Sequence, residues 1–155
     1  MADIALTLSG YGVGDIAIER YDLERDDGLE TAVILSLFCD RRATPEQLPA
    51  ELPADDLRGW WGDIKPEADG DLIGSHLWLL AREKQLPGTL AKAKQYATEA
   101  LEWMIDDKVA ERVAVRTSYP TRNWMLMEID IYRPAGLVRY RYEYEWAAQA
   151  AKRAA

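Results

Sequence analysis

The last third of this sequence alternates with a period of two, three times in succession. Val113, Val115, Thr117 and Tyr119 interleave with Arg112, Ala114, Arg116 and Ser118. Met125, Met127, Ile129 and Ile131 interleave with Trp124, Leu126, Glu128, Asp130 and Tyr132. Val138, Tyr140, Tyr142, Tyr144 and Trp146 interleave with Arg139, Arg141, Glu143 and Glu145. Residues two apart share one face of a strand, whereas a helix would scatter them around its axis. Pro134-Ala135-Gly136 supplies a turn between the second and third runs. The pattern therefore predicts three consecutive strands of a mainly antiparallel sheet.

The residues before these runs read differently. Asp27-Gly28-Leu29-Glu30 has the form of an acidic cap followed by Glu at the third helical position. The apolar run from Ala32 to Cys39 that follows is then a helix, and Leu29, Val33, Ile34, Leu37 and Phe38 cover more than half of its circumference. It is predicted to be the most buried helix of the protein, with Arg41 and Arg42 just past its negative end. A second helix is predicted from Thr89, where Leu90, Ala93, Ala97, Leu101, Met104 and Ile105 recur at helical spacing, to about Asp106-Asp107. Ser75 is placed to cap a short helix from His76 to Lys84, and Pro87-Gly88 breaks the chain after it. Near the N-terminus, Ile4, Leu6 and Leu8 alternate, then Ile16 and Ile18, so a small hairpin is expected around Gly10, Gly12 and Gly14. Those glycines read as a turn and not a phosphate loop, because no Walker Lys-Ser/Thr follows.

Residues 43–73 contain Pro45, Pro49, Pro53 and Pro66 and form a long connection with few large apolar residues: Leu57, Trp60, Trp61 and Ile64. Connections this long are usually functional or disordered. With no internal repeat and strands segregated from helices, the reading is one α+β domain over residues 1–155. It is a small, mainly antiparallel sheet packed against two or three helices, with a long Trp-containing loop. The Ala-rich tail 147–155 is expected as a frayed helix.

Composition narrows the function. The net charge is −8, which argues against a dedicated nucleic-acid binder, since phosphate contacts require clustered Lys and Arg. The apolar runs are far shorter than the ~20 residues a membrane span needs, and the N-terminus lacks the basic segment of a signal peptide. Synthesis and assembly in a cytoplasm are therefore expected. One cysteine, Cys39, sits in an apolar run and precludes an internal disulfide. The aromatic residues comprise eight Tyr and six Trp against one Phe, types that combine apolar area with a polar handle and are enriched at interfaces.

Catalytic sets are hard to assemble from these residues. His76 is the single histidine. The serines a triad would need (Ser36, Ser75 or Ser118) are not in a nucleophile elbow. One His and one Cys exclude the usual zinc sets, and Asp69-Gly70-Asp71 lacks the later ligands of a calcium loop. Glu128, Asp130, Glu143 and Glu145 are the carboxylates that could flank a sugar, but the Arg/Glu alternation of the last run is explained by cross-strand ion pairs. No metal or cofactor is expected.

Three stretches carry a family resemblance. The first is Asp27-Gly28-Leu29-Glu30-Thr31-Ala32-Val33 running into Ser36-Leu37-Phe38-Cys39-Asp40-Arg41-Arg42-Ala43. The second is Gly59-Trp60-Trp61-Gly62-Asp63, and the third runs from Gly74-Ser75-His76 to Glu83-Lys84. In this order they resemble the baseplate wedge family of Mu-like contractile-tailed bacteriophages, related to the lysozyme-like wedge and sheath-initiator proteins. The resemblance extends from Asp3 to about Trp146. It implies a structural protein of the virion tail baseplate and no enzyme, present in several copies. Its implied partners are other baseplate wedge proteins, the tail-sheath protein, and tail-tube or hub proteins, and its implied role is to initiate the sheath. The competing reading is a lysozyme-like glycoside hydrolase acting on the bacterial cell wall.

Two interface candidates follow. One is Trp60, Trp61 and Asp63, where two rings between glycines lie outside any regular period and either seal the core or anchor a neighbour. The other is the last strand: Arg139, Tyr140, Arg141, Tyr142, Glu143, Tyr144, Glu145 and Trp146. If it lies uncovered at the sheet edge, its backbone can pair with a strand of another subunit, as the sheath-initiator resemblance implies. If it lies inside the sheet, the tyrosines face the core.

Overall fold

The computed structural model describes residues 3–8, 14–26, 28–50, 52–64, 72–81, 83, 85–145 and 150–153, with side chains placed as far as 145. Its architecture is α+β. The N-terminal segment forms six short strands: β1 (Asp3–Ile4), β2 (Leu6–Leu8), β3 (Gly14–Ile16), β4 (Ile18–Glu19), β5 (Asp22–Leu23) and β6 (Arg25–Asp26). The expected hairpin is present as β2 against β3, with Leu6 opposite Ile16; the glycine turn, residues 10–13, lies outside the described residues. The strands change partner at a hub. Ala5 N–H donates to Glu24 O, Glu24 N–H to Ala17 O, and Ala17 N–H to Ala5 O, each at 2.9 Å. Three two-stranded arms, β1–β6, β2–β3 and β4–β5, radiate from this closed cycle. Ala17 is buried at the hub.

Helix α1 (Glu30–Phe38) follows. Its N-terminus is held by Asp26, whose carboxylate accepts from Gly28 N at 2.8 Å and Thr31 N at 2.7 Å. Asp27, the residue expected to cap, lies outside the described residues. Thr31 then ties the helix to the hub, donating to Ile4 O at 2.9 Å and accepting from Leu6 N at 3.1 Å. Thr31, Val33, Ile34, Ser36 and Leu37 are buried, so the near-continuous apolar surface of α1 is matched by cover on most sides.

After α1 the chain forms 3-10 turns at Pro45–Gln47, Trp61–Ile64 and Leu77–Leu80. The Leu77–Leu80 turn replaces the longer helix expected there, whose far end, Lys84, lies outside the described residues. Ser75 does serve its start: its Oγ accepts from Leu77 N at 3.2 Å and donates to Leu37 O. All four residues of the turn are buried. Part of the Pro-rich connection docks on it, with Ala43, Leu48 and Leu52 against Trp78 and Leu79.

The second expected helix is two helices. Helix α2 (Pro87–Ala100) begins with Pro87 in the first turn, where its missing N–H costs nothing. A tight turn at Leu101–Glu102 separates it from α3 (Trp103–Asp106). The offset turns Leu101 and Met104 inward and leaves Ile105 exposed.

The three predicted strands are β7 (Arg112–Thr121), β8 (Trp124–Arg133) and β9 (Gly136–Glu145). A fourth, β10 (Ala150–Arg153), lies where a frayed helix was expected, and pairs antiparallel with Tyr142–Glu145 of β9. The sheet order is β10-β9-β8-β7. Met125, Met127, Ile129, Ile131, Tyr140, Tyr142 and Tyr144 meet α1, α2 and α3 in one core.

Candidate interaction surfaces

The Trp loop is built on two successive left-handed residues, Arg58 (φ 49°) and Gly59 (φ 98°). A Cβ on Gly59 would lie 2.6 Å from Arg42 Cβ, so the position demands glycine for both conformation and space. Gly62 demands it for a different reason: the Trp60 ring occupies the space a Cβ would need. Arg58 anchors the loop. Its guanidinium is 2.8 Å from Asp40 Oδ2, 3.7 Å from Asp56, and 4.6 Å from the Trp78 ring centroid. Asp63 accepts from Ile73 N at 3.3 Å and so holds the end of the long connection. Its second carboxylate oxygen is buried and has no hydrogen-bond partner among the described residues.

Both rings are presented outward. Trp60 is 49% exposed and Trp61 77%, with Ile64 at 84% beside them. The ring centroids lie 5.3 Å apart, tilted by 50°. Trp60 forms one wall of a mostly apolar groove of about 390 Å³, whose other walls are Ala32, Leu35, Ala100, Trp103 and Leu72–Gly74, with Asp63 and Asp107 contributing carboxylates. Trp103 is fixed there by its indole N–H, which donates to Ser36 Oγ at 3.0 Å. The loop therefore does not plug the core; it stands beside an open groove.

The last-strand candidate divides by face. Tyr140, Tyr142 and Tyr144 are buried in this chain's own core, with Tyr142 edge-on to Phe38 at 5.2 Å. Of the two placements the sequence left open for β9, the internal one holds over Tyr142–Glu145, where β10 takes up the backbone edge; Gly136–Tyr140 have β8 as their paired neighbour among the described residues. Trp146 lies outside the described residues. The polar row is on the opposite face: Arg139, Arg141, Glu143 and Glu145 of β9 lie opposite Asp130, Glu128, Leu126 and Trp124 of β8, respectively.

Cross-strand ion pairs organise that face, as the sequence led us to expect, with partners drawn from β8. Arg139 Nε is 2.5 Å from Asp130 Oδ1, and Arg116 Nη1 of β7 is 2.8 Å from Asp130 Oδ2. Glu128 lies between Arg116 (3.7 Å) and Arg141 (3.4 Å). The Asp130 side chain is 2% exposed, although it sits on an outward face, because the two half-exposed guanidiniums cover it. Hydrogen bonds from Arg139 first and Arg116 second lower its pKa from 3.8 to about 2.

Asp130 is poorly suited to be the acid of glycoside hydrolysis, which must have a raised pKa to protonate the leaving group. Asp130 moves in the opposite direction. His76 and Ser75 form no relay: Ser75 is engaged by Leu37 and Leu77, and His76 Nε2 lies 3.2 Å from Arg42 O. The Cys39 thiol is pushed up by burial and by Asp40 and Asp63, which disfavours the nucleophilic thiolate. Among the described residues, no group of three or more His, Cys, Asp or Glu is placed to hold a metal ion, and no helix is long and apolar enough to cross a membrane.

The stretch from α1 through the Trp loop to the start of β9 is also where the chain matches a known family. The model for phage protein GP46 matches residues 29–138. The chain belongs to the phage protein GP46 family. It is 44% identical over 151 residues to "Baseplate protein gp46" of Escherichia phage Mu, covering 95% of this chain and 97% of that protein. It is 40% identical over 148 residues to "Mu-like prophage FluMu protein gp46" of Haemophilus influenzae, covering 95% of this chain and 99% of that protein.

Sequence periodicity did not reveal a further exposed surface. Ile16, Ile18, Tyr21 and Leu23, on the N-terminal arms, are exposed apolar residues. Alternation marks Ile16 and Ile18 as sharing a face but does not say that the face points outward.

Proposed function

We propose that this chain is a structural subunit of a Mu-like contractile-tail baseplate. It is made and assembled in the host cytoplasm and is present in several copies, contacting wedge neighbours, tube or hub proteins and the first sheath subunits. The observation that carries this reading is the near full-length similarity to the phage Mu baseplate protein. The Trp60-Trp61 loop with Ile64 supports it as an anchor, since large aromatic residues beside an apolar groove are the usual form of an interface hot spot. The Asp130 carboxylate, enclosed by Arg139 and Arg116 and held below the usual carboxylate pKa, favours a non-catalytic role over a cell-wall hydrolase.

Sheath initiation would proceed by strand addition to the four-stranded sheet. Among the described residues its terminal strands are β7 and β10, and we assign the pairing edge, which the sequence offered on β9, to β10 and the Gly136–Tyr140 half of β9. Arg139 and Arg141, paired with Asp130 and Glu128, then present a charged face with Glu143 and Glu145 beside that edge.

The test is deletion of the gene from the phage that encodes it, with complementation in trans. Tails should fail to acquire sheath, the wild-type chain should restore it, and Trp61→Ala should restore it poorly while melting like wild type. Normal plaque titre without the chain would overturn the reading, as would peptidoglycan hydrolysis by the purified protein.

A further inference from the structure

The N-terminal arms carry a feature that neither the Trp loop nor the sheet explains. The β4–β5 arm has only two paired positions, Ile18 with Leu23 and Glu19 with Asp22. Its turn residues, Arg20 (φ 50°) and Tyr21 (φ 70°), are both left-handed. A two-residue turn of this kind normally carries Asn-Gly, because side chains with a Cβ are strained there. The strained turn holds Tyr21 fully exposed. Ala17 is buried at the hub, so strand alternation turns its neighbours Ile16 and Ile18 away from the core, and Ile18 is 71% exposed. Leu23, opposite Ile18, is also exposed. An isolated ribbon of two paired positions is marginal in water, yet this one displays an isoleucine, a leucine and a tyrosine. The surrounding charge is acidic: Asp15, Glu19, Asp22 and Glu24 against Arg20 and Arg25.

We propose that the β4–β5 arm is a docking finger that inserts Ile18, Tyr21 and Leu23 into an apolar cleft rimmed by Lys and Arg on a neighbouring, different tail protein. This rests on the baseplate reading and names a second contact of the subunit, separate from the Trp loop. Charge complementarity selects the occupant: an acidic finger is steered towards a basic rim and away from other acidic surfaces. The hub provides a rigid base, because its closed hydrogen-bond cycle and the Thr31 bridge tie the arm to α1.

The experiment uses tails assembled in a lysate lacking this chain, to which the purified full chain is added and the bound fraction measured against NaCl concentration. Wild type should bind, and binding should weaken with salt as screening removes the steering. Tyr21→Ser combined with Ile18→Ser should weaken binding by about tenfold or more, as loss of central anchors does. Glu19→Lys combined with Asp22→Lys, which changes surface charge without touching the core, should bind worst at low salt and recover as salt rises. If the serine variant does not fold, the charge-reversed variant alone decides. Wild-type binding and salt response in the charge-reversed variant would overturn the finger while leaving the baseplate reading intact. Failure of the wild-type chain to bind tails at all would overturn both. Sedimentation showing that the arm instead joins two copies of this chain, with dimers lost in the serine variant, would also overturn the proposed occupant.

Discussion

Replacing Asp130 by Asn tests whether the outward face of the sheet is held by charge or only by shape. Asn keeps the side-chain volume and removes the charge that Arg139 and Arg116 enclose. The folded-state pKa of Asp130 is lowered from 3.8 to about 2. A depressed carboxylate pKa stabilises the folded state above the unfolded pKa, and this contribution is lost as pH falls through the folded pKa. Each tenfold change in an acid dissociation constant corresponds to about 1.4 kcal/mol. Because both guanidiniums are half exposed, screening reduces the yield, and the expected contribution at pH 7 is on the order of 1–2 kcal/mol. Asp130→Asn should therefore lower Tm by about 2–8 °C at neutral pH for a chain of this length. The assay is paired thermal or urea unfolding of wild type and variant from pH 7 to pH 2. The difference between the two proteins cancels the titration of the remaining acids. It should stay near its full value down to about pH 4 and shrink between pH 4 and pH 2. A difference that is independent of pH would refute the electrostatic account and assign the effect to packing or hydrogen-bond geometry.

Leu37→Ala should destabilise the chain by about 2–5 kcal/mol in a denaturant melt, because Leu37 is 1% exposed at the centre of the core; an unchanged midpoint would remove α1 from its central place. Tyr142→Pro should unfold or severely destabilise the free chain, by about 3 kcal/mol or more, because Tyr142 lies between Met127 of β8 and Arg153 of β10. Tyr142→Phe should fold normally, and circular dichroism separates the two outcomes. Gly59→Ala should cost about 1–3 kcal/mol from the left-handed conformation alone, with crowding against Arg42 added to it; a thermal melt at wild-type temperature would show that the loop is free to rearrange.

Local pattern was enough to read β7, β8 and β9, because a period of two over ten residues fits a pleated strand and nothing else. It was also enough for α1 as a helix; for Trp60 and Trp61 it left open whether the rings seal the core or face a partner, and the folded loop exposes both. The family resemblance was legible in the same stretches, and the match over residues 29–138 falls on them. Other features had no local signature. Alternation assigns Tyr140, Tyr142 and Tyr144 to one face and Arg139 and Arg141 to the other, but only packing against α1 decides which face is inside. Ala150–Arg153 is rich in a helix-favouring residue and becomes a strand because the β9 edge offers hydrogen-bond partners, a tertiary gain that outweighs a weak propensity. The partner of Arg139 is Asp130, and not a glutamate of its own strand, because register across the β8–β9 turn sets which charges meet. The hub at Ala5, Ala17 and Glu24 joins residues distant in sequence through backbone groups alone. Backbone hydrogen bonds are common to every residue type, so only the folded chain could decide where those three arms would meet.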